Sequence, residues 1–152
     1  MTELNKEEIV SRAQSLFDEG YACSQAILLT FSPLFDLSPK TAKLISSAFG
    51  GGMGRLRETC GALTGSFMVI GLAFGNEDPQ DLKTKLQAYN KVRELYEQVA
   101  AVHGTTVCRE LLRKNTTPEQ VEKRKHHKII CRKVVGDSAG FLCDILVSGL
   151  SR

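Results

Sequence analysis

No segment of this chain is long and apolar enough to span a bilayer. The longest apolar run, Gly61 to Gly75, has 15 residues and carries Thr64 and Ser66, whereas a crossing needs roughly 18 to 20. Membrane insertion is not expected, and the run reads as a buried core helix. The N-terminus, M-T-E-L-N-K-E-E, has neither a basic region followed by an apolar stretch nor a small-residue cleavage site, so export is not expected and a cytoplasmic location is. A strong charge imbalance is also missing. A net charge of +3 is too mild to imply a nucleic-acid partner. Sustained apolar-polar alternation with β-branched enrichment is absent, which argues against a sheet. No linker, low-complexity tract or repeat divides the 152 residues. Their composition, 42% hydrophobic and 24% charged, suits one domain over residues 1–152 with a single core.

What remains is helical periodicity, and the predicted fold is all-α, a single-domain bundle of about six to seven helices. Asn5 with Glu8 resembles a capping box, so a first helix is predicted from Lys6 to Glu19, stopping at Gly20. A second begins near Ala22 and ends before Ser32-Pro33. Ser38-Pro39 starts a third, to Phe49. Gly50, Gly51, Gly52 and Gly54 then force a loop. The apolar helix follows, to about Phe74, as the most buried element because it has almost no polar face. Asp78-Pro79 is predicted to cap a long amphipathic helix ending near His103-Gly104. Thr105 or Thr106 caps a short helix carrying Cys108, and Thr117-Pro118-Glu119-Gln120 is a further start signal. The last helix is predicted from Pro118 to about Gly149, with Gly136-Asp137 marking either a break or a weak turn.

Chemistry is concentrated in the cysteines. Cys23, Cys60, Cys108 and Cys131 are 37, 48 and 23 residues apart. No pair forms C-x-x-C and no zinc-finger spacing is present, so any joint site is assembled by tertiary packing. Cys60 stands at the first turn of the apolar helix, where unpaired N–H groups and the positive dipole end favour a thiolate. Gly61 and Gly65, one turn apart, allow another backbone to approach closely and bring thiols from other segments toward Cys60. Cys131 follows the basic run Lys123 to Lys128 and precedes Arg132 and Lys133, cations that favour a thiolate or a metal-thiolate cluster. His127 and Cys131 are spaced i,i+4 as two ligands on one helix would be, although His126 and His127 in a lysine-rich stretch also read as surface residues. Cys143, among Phe141, Leu142, Ile145 and Leu146, reads as core packing. His103 suits a helix C-terminal dipole. The run G-G-G-M-G-R-L-R lacks both phosphate-loop spacings and a preceding strand. Arg55 and Arg57 in it suit a small anion or a carboxylate of the protein itself.

The segments Gly20 to Ala26, Phe49 to Arg55, Cys60 to Gly65, Cys108 to Leu112 and Cys131, in this order, resemble the C_GCAxxG_C_C family of bacterial and archaeal four-cysteine proteins described as redox-active. The resemblance runs from about Lys6 to Leu146. It places the family's four cysteines on Cys23, Cys60, Cys108 and Cys131 and leaves Cys143 outside. Leu56 and Arg57 stand where the pattern suggests smaller residues. A related domain occurs in split-Soret cytochromes with haem and an iron-sulfur centre, but this chain has no C-x-x-C-H and so no covalent haem is expected. Three functions follow as expectations. The first is thiol-disulfide or electron-transfer chemistry, with Cys60 as the reactive thiolate resolved by Cys23, Cys108 or Cys131 and a redox partner protein supplying or taking electrons. The second is an iron-sulfur or zinc module with all four cysteines as ligands. The third is a helical partner-binding protein whose cysteines only pack.

Overall fold

Asn5 begins the first helix by accepting the Glu8 N–H at 3.2 Å, and Gly20 (φ 109°) ends it in a conformation open to glycine. The structure, a computed structural model, describes residues 4–114, 119 and 126–150. Among them seven α-helices form, with no strand beyond one isolated bridge. They are α1 (Lys6–Asp18), α2 (Cys23–Phe31), α3 (Pro39–Ser47), α4 (Gly61–Phe74), α5 (Leu82–His103), α6 (Cys108–Lys114) and α7 (His126–Leu150), with a 3-10 turn at Ser32–Phe35. The fold is all-α, as the periodicity predicts.

α4 is held among α2, α5 and α7, and α7 packs along α1. Their apolar faces make one core around Ile27, Phe31, Leu63, Ile70, Leu95 and Leu146, each fully buried. Burying a side chain of this size contributes about 1.5–3 kcal/mol. The most buried helix is α2 rather than α4. Seven of the nine α2 residues are buried, against nine of fourteen in α4, because the last turn of α4 opens to solvent at Leu72, which is 45% exposed.

Two boundaries differ from expectation, and the open reading at Gly136-Asp137 is decided. α3 ends at Ser47 rather than Phe49, since the Phe49 N–H turns back to the Ser46 carbonyl at 3.1 Å and tightens the last turn. α5 is capped by Asp81, whose Oδ1 accepts the Thr84 N–H at 3.1 Å. Asp78 instead accepts the Gln80 N–H at 2.9 Å in a local turn. α7 runs unbroken through Gly136-Asp137, where the missing Cβ of Gly136 makes room for the Gln14 side chain of α1. The start signal at Thr117 to Gln120 and the readings of the His126 and His127 side chains lie outside the described part of the chain.

Candidate functional site: a converging thiol cluster

Two glycines set the first contact. A Cβ added at Gly61 would lie 3.0 Å from the Ser24 nitrogen and 3.2 Å from Cys23 Cβ, and one at Gly65 would lie 2.7 Å from the Ser24 oxygen. The start of α2 therefore rests on the bare backbone of the first turns of α4. This seats Cys23, the first residue of α2, beside Cys60, the N-cap of α4. Ser24 Oγ donates to the Ser46 carbonyl at 2.8 Å and Gln25 Nε2 to the Lys43 carbonyl at 3.0 Å, which ties α2 to α3. The Gln25 side-chain oxygen accepts the Ala22 N–H at 3.0 Å and fixes where the helix begins.

A short extended pairing brings in the third cysteine. The Cys60 N–H donates to the Thr106 carbonyl at 2.9 Å, the Cys108 N–H to Glu58 at 2.6 Å and the Arg109 N–H to Arg57 at 3.2 Å, around an antiparallel bridge between Thr59 and Val107. Cys60 and Cys108 thus become diagonal neighbours on one face, a relation that typically separates residues by about 7–8 Å. The expected cap by Thr105 is not formed: its Oγ1 accepts the Val107 N–H at 3.1 Å in a turn just before α6. Thr106 is buried.

The glycine-rich loop is a left-handed turn. Gly51, Gly52, Met53, Gly54 and Arg55 have φ of 67°, 71°, 66°, 60° and 62°, and Arg57 follows at 62°. For Met53, Arg55 and Arg57 this conformation costs roughly 1–2 kcal/mol each. Gly52 faces Cys108 so closely that a Cβ there would lie 2.7 Å from Cys108 Cβ and 2.8 Å from Arg57 Cα. The turn delivers Arg57, whose Nη1 donates to Cys108 Sγ at 3.8 Å. Of the two arginines expected to meet an anion or a carboxylate, Arg57 meets a thiol and Arg55 is exposed. Backbone strain gathered at one place is a mark of functional sites.

Electrostatics separate the thiols. The Cys23 thiol, hydrogen-bonded to Cys60, and the Ala62 and Leu63 N–H groups at the start of α4 hold Cys60 below the ordinary thiol range in spite of burial. Neither N–H makes a regular capping bond to the sulfur. Cys23 is pushed well above that range, first by hydrogen bonds with Cys131 and Cys60, then by burial and by the charge of those neighbours. Burial pushes Cys108 up, and Arg57 offsets part of the rise. Cys108 feels the charges of Cys60 and Cys131, as Cys23 does, so the four family cysteines share one neighbourhood. Cys143 stands apart, pushed up by its own burial and by the Asp144 charge, which Lys6 partly offsets. Cys60 and Cys108 are 4% and 7% exposed, whereas Cys23 and Cys131 are half-buried, and all five are free thiols.

Two charged groups near the cluster are paired elsewhere. Arg132 Nε binds Asp18 at 3.1 Å, so this cation of the basic stretch is directed to α1. His103 Nε2 lies 2.8 Å from Asp137 Oδ2, joining the end of α5 to α7. A zinc or iron-sulfur site requires thiolates turned to one point, and among the described residues no three Cys, His, Asp or Glu side chains stand in such a geometry. No described helix is long and apolar enough to cross a membrane.

No curated protein and no solved structure matches the chain. One family model does, over residues 21–145, a span that takes in the glycine turn and all four converging cysteines; the chain belongs to the family described as "Putative redox-active protein (C_GCAxxG_C_C)".

Proposed function

We propose that the cluster is a three-thiol relay that exchanges electrons with a disulfide-bearing partner protein. The observation that carries the reading is that the bare backbone of Gly61 seats Cys23, at the start of α2, beside Cys60 at the start of α4, with Cys131 perturbing Cys23 in turn and Cys60 held toward its thiolate. Cys131 is half-buried, more open to a partner protein than Cys60, which is 4% exposed. As a thiolate, Cys131 attacks one sulfur of the partner disulfide. The S–S bond breaks, the other partner sulfur leaves as a thiolate, and a mixed disulfide forms on Cys131. Cys23 then attacks Cys131 Sγ, giving up its proton, which goes with the second partner thiolate. Finally the Cys60 thiolate attacks Cys23 Sγ and frees Cys131. The partner gains two electrons, and the protein stores the oxidation as a Cys23–Cys60 disulfide beneath the surface. Run backward, the same steps reduce the store. Cys108, held by Arg57, lies beside this relay, and its diagonal relation to Cys60 is near the Cα limit of about 7 Å for a bridge.

The test is oxidation of the reduced, metal-free protein with oxidised glutathione, followed by mass-spectrometric mapping. The expected product is a Cys23–Cys60 disulfide, with glutathione trapped on Cys131 in a Cys23→Ser variant. At pH 6, alkylation of Cys60 should exceed that of Cys143. Glutathione accumulating on Cys143, or no disulfide in the cluster, overturns the relay. Stoichiometric iron or zinc in protein purified anaerobically replaces it with the ligand reading.

A further inference from the structure

α5 presents a face to solvent that the redox reading does not use. Leu82, Leu86, Tyr89 and Tyr96 lie at i, i+4, i+7 and i+14, and each is between 47% and 61% exposed. Leu95 and Val99, on another face of the same helix, supply its contact with the core. The spacing is that of a heptad seam with Arg93 in the remaining position. The charges beside it run against what a lone helix prefers. Behind the N-cap Asp81, Lys83 and Lys85 stand in the first turn and Glu94 and Glu97 in the second half. Cations near a helix N-terminus are disfavoured by the macrodipole. An antiparallel copy of the same helix reverses both the dipole and the charge order.

We infer that this face of α5 docks a second copy of the chain, antiparallel about a two-fold axis near Asn90. With residues paired so that their numbers sum to about 180, Lys83 meets the second copy's Glu97, Tyr89 meets Tyr89 and Arg93, and Leu86 meets Arg93 and Tyr96. Lys83, Asn90 and Glu97 are exposed and flank the same side of the seam, and in an antiparallel pair like flanks face each other. Lys83–Glu97 contacts therefore occur twice, and Arg93 against a tyrosine ring adds a cation–π contact. Glu94 is taken up by Lys91 of its own helix at 3.4 Å. Four half-exposed side chains offer on the order of 400 Å² of surface per copy. Doubled, this is about 800 Å², which with a polar rim stays below the roughly 1,200 Å² of stable specific interfaces and in the range of weak ones. The association is accordingly weak and salt-sensitive, with Kd on the order of micromolar to tens of micromolar.

The test is sedimentation of the reduced full-length protein from about 1 μM to about 1 mM, the range in which such a Kd is read. Wild type should pass from monomer to dimer. Leu86→Glu should weaken dimerisation at least tenfold while leaving helicity and thermal unfolding of the monomer unchanged. Lys83→Glu should weaken it several-fold, and adding Glu97→Lys should restore it, because the swap rebuilds both symmetric pairs with reversed sign. A wild-type chain that stays monomeric to about 1 mM overturns the proposal. So does a Lys83→Glu, Glu97→Lys chain that stays as weak as Lys83→Glu alone, which excludes this register.

Discussion

Replacing Gly65 with alanine, and Gly71 of the same helix as its partner experiment, isolates the close approach on which the thiol cluster rests. Alanine in a helix is favoured over glycine by up to about 1 kcal/mol, and this gain is common to both variants. At Gly71 the new Cβ meets nothing within 4 Å among the described residues, so the gain stands and the protein is stabilised by about 1 kcal/mol. At Gly65 the new Cβ falls 2.7 Å from the Ser24 oxygen and 3.1 Å from Ser24 Cα. These are backbone atoms and have no rotamer into which to retreat. Overpacking of this kind costs about 1–3 kcal/mol, so the two variants should differ by about that amount. For a chain of this size each kcal/mol is worth roughly 2–4 °C in Tm. Thermal and urea unfolding of the reduced proteins measure the difference, and alkylation gives a second readout. α2 displaced from α4 carries Cys23 away from Cys60, so Cys60 should alkylate more slowly at pH 6 in Gly65→Ala and at the wild-type rate in Gly71→Ala. Equal Tm values for the two variants would refute the close approach, and unequal Tm values with equal Cys60 reactivity would refute its role in the site.

Two further outcomes follow from the site's electrostatics. Arg57→Gln removes the cation that offsets the burial of Cys108, so Cys108 alkylation near pH 8 should fall several-fold with Cys143 as internal control; an unchanged Cys108 rate means the guanidinium does not act on the sulfur. Cys23, Cys108 and Cys143 are all raised in the folded state relative to an unfolded thiol near 8.5. The stability they contribute is fully present below that value and lost as pH rises through their folded values. Cys60 is lowered, so its contribution is present above the unfolded value and lost as pH falls through its folded one. Three thiols oppose one, and the Tm of the reduced protein should fall between about pH 8 and pH 10, less steeply in Cys23→Ser. A Tm that rises over that window would show that the sulfurs titrate in the other order.

The elements of this fold that could be read in advance are those whose cause is local. Asn5, Ser38 and Gly104 end helices through bonds within a few residues of themselves, and the placement of Cys60 at a helix start follows from the glycines before it and the apolar run after it. Asp78 and Asp81 are equally good caps in isolation, and only the turn that Asp78 makes with Gln80 decides between them. The left-handed conformation of Met53, Arg55 and Arg57 had no local signal, because each of those residue types disfavours it. The turn exists because Gly52 must pass Cys108 without a side chain, a contact between segments far apart in sequence. The pairing of Arg57 to Cys60 with Thr106 to Arg109 is likewise too short to leave an alternating pattern. That four cysteines belong together was legible through the family resemblance, but their order of contact was not. Cys23 lies between Cys131 and Cys60 because α2 crosses α4 at two glycines while α7 passes the start of α2, so which thiol can resolve which is set by helix crossing and not by spacing along the chain.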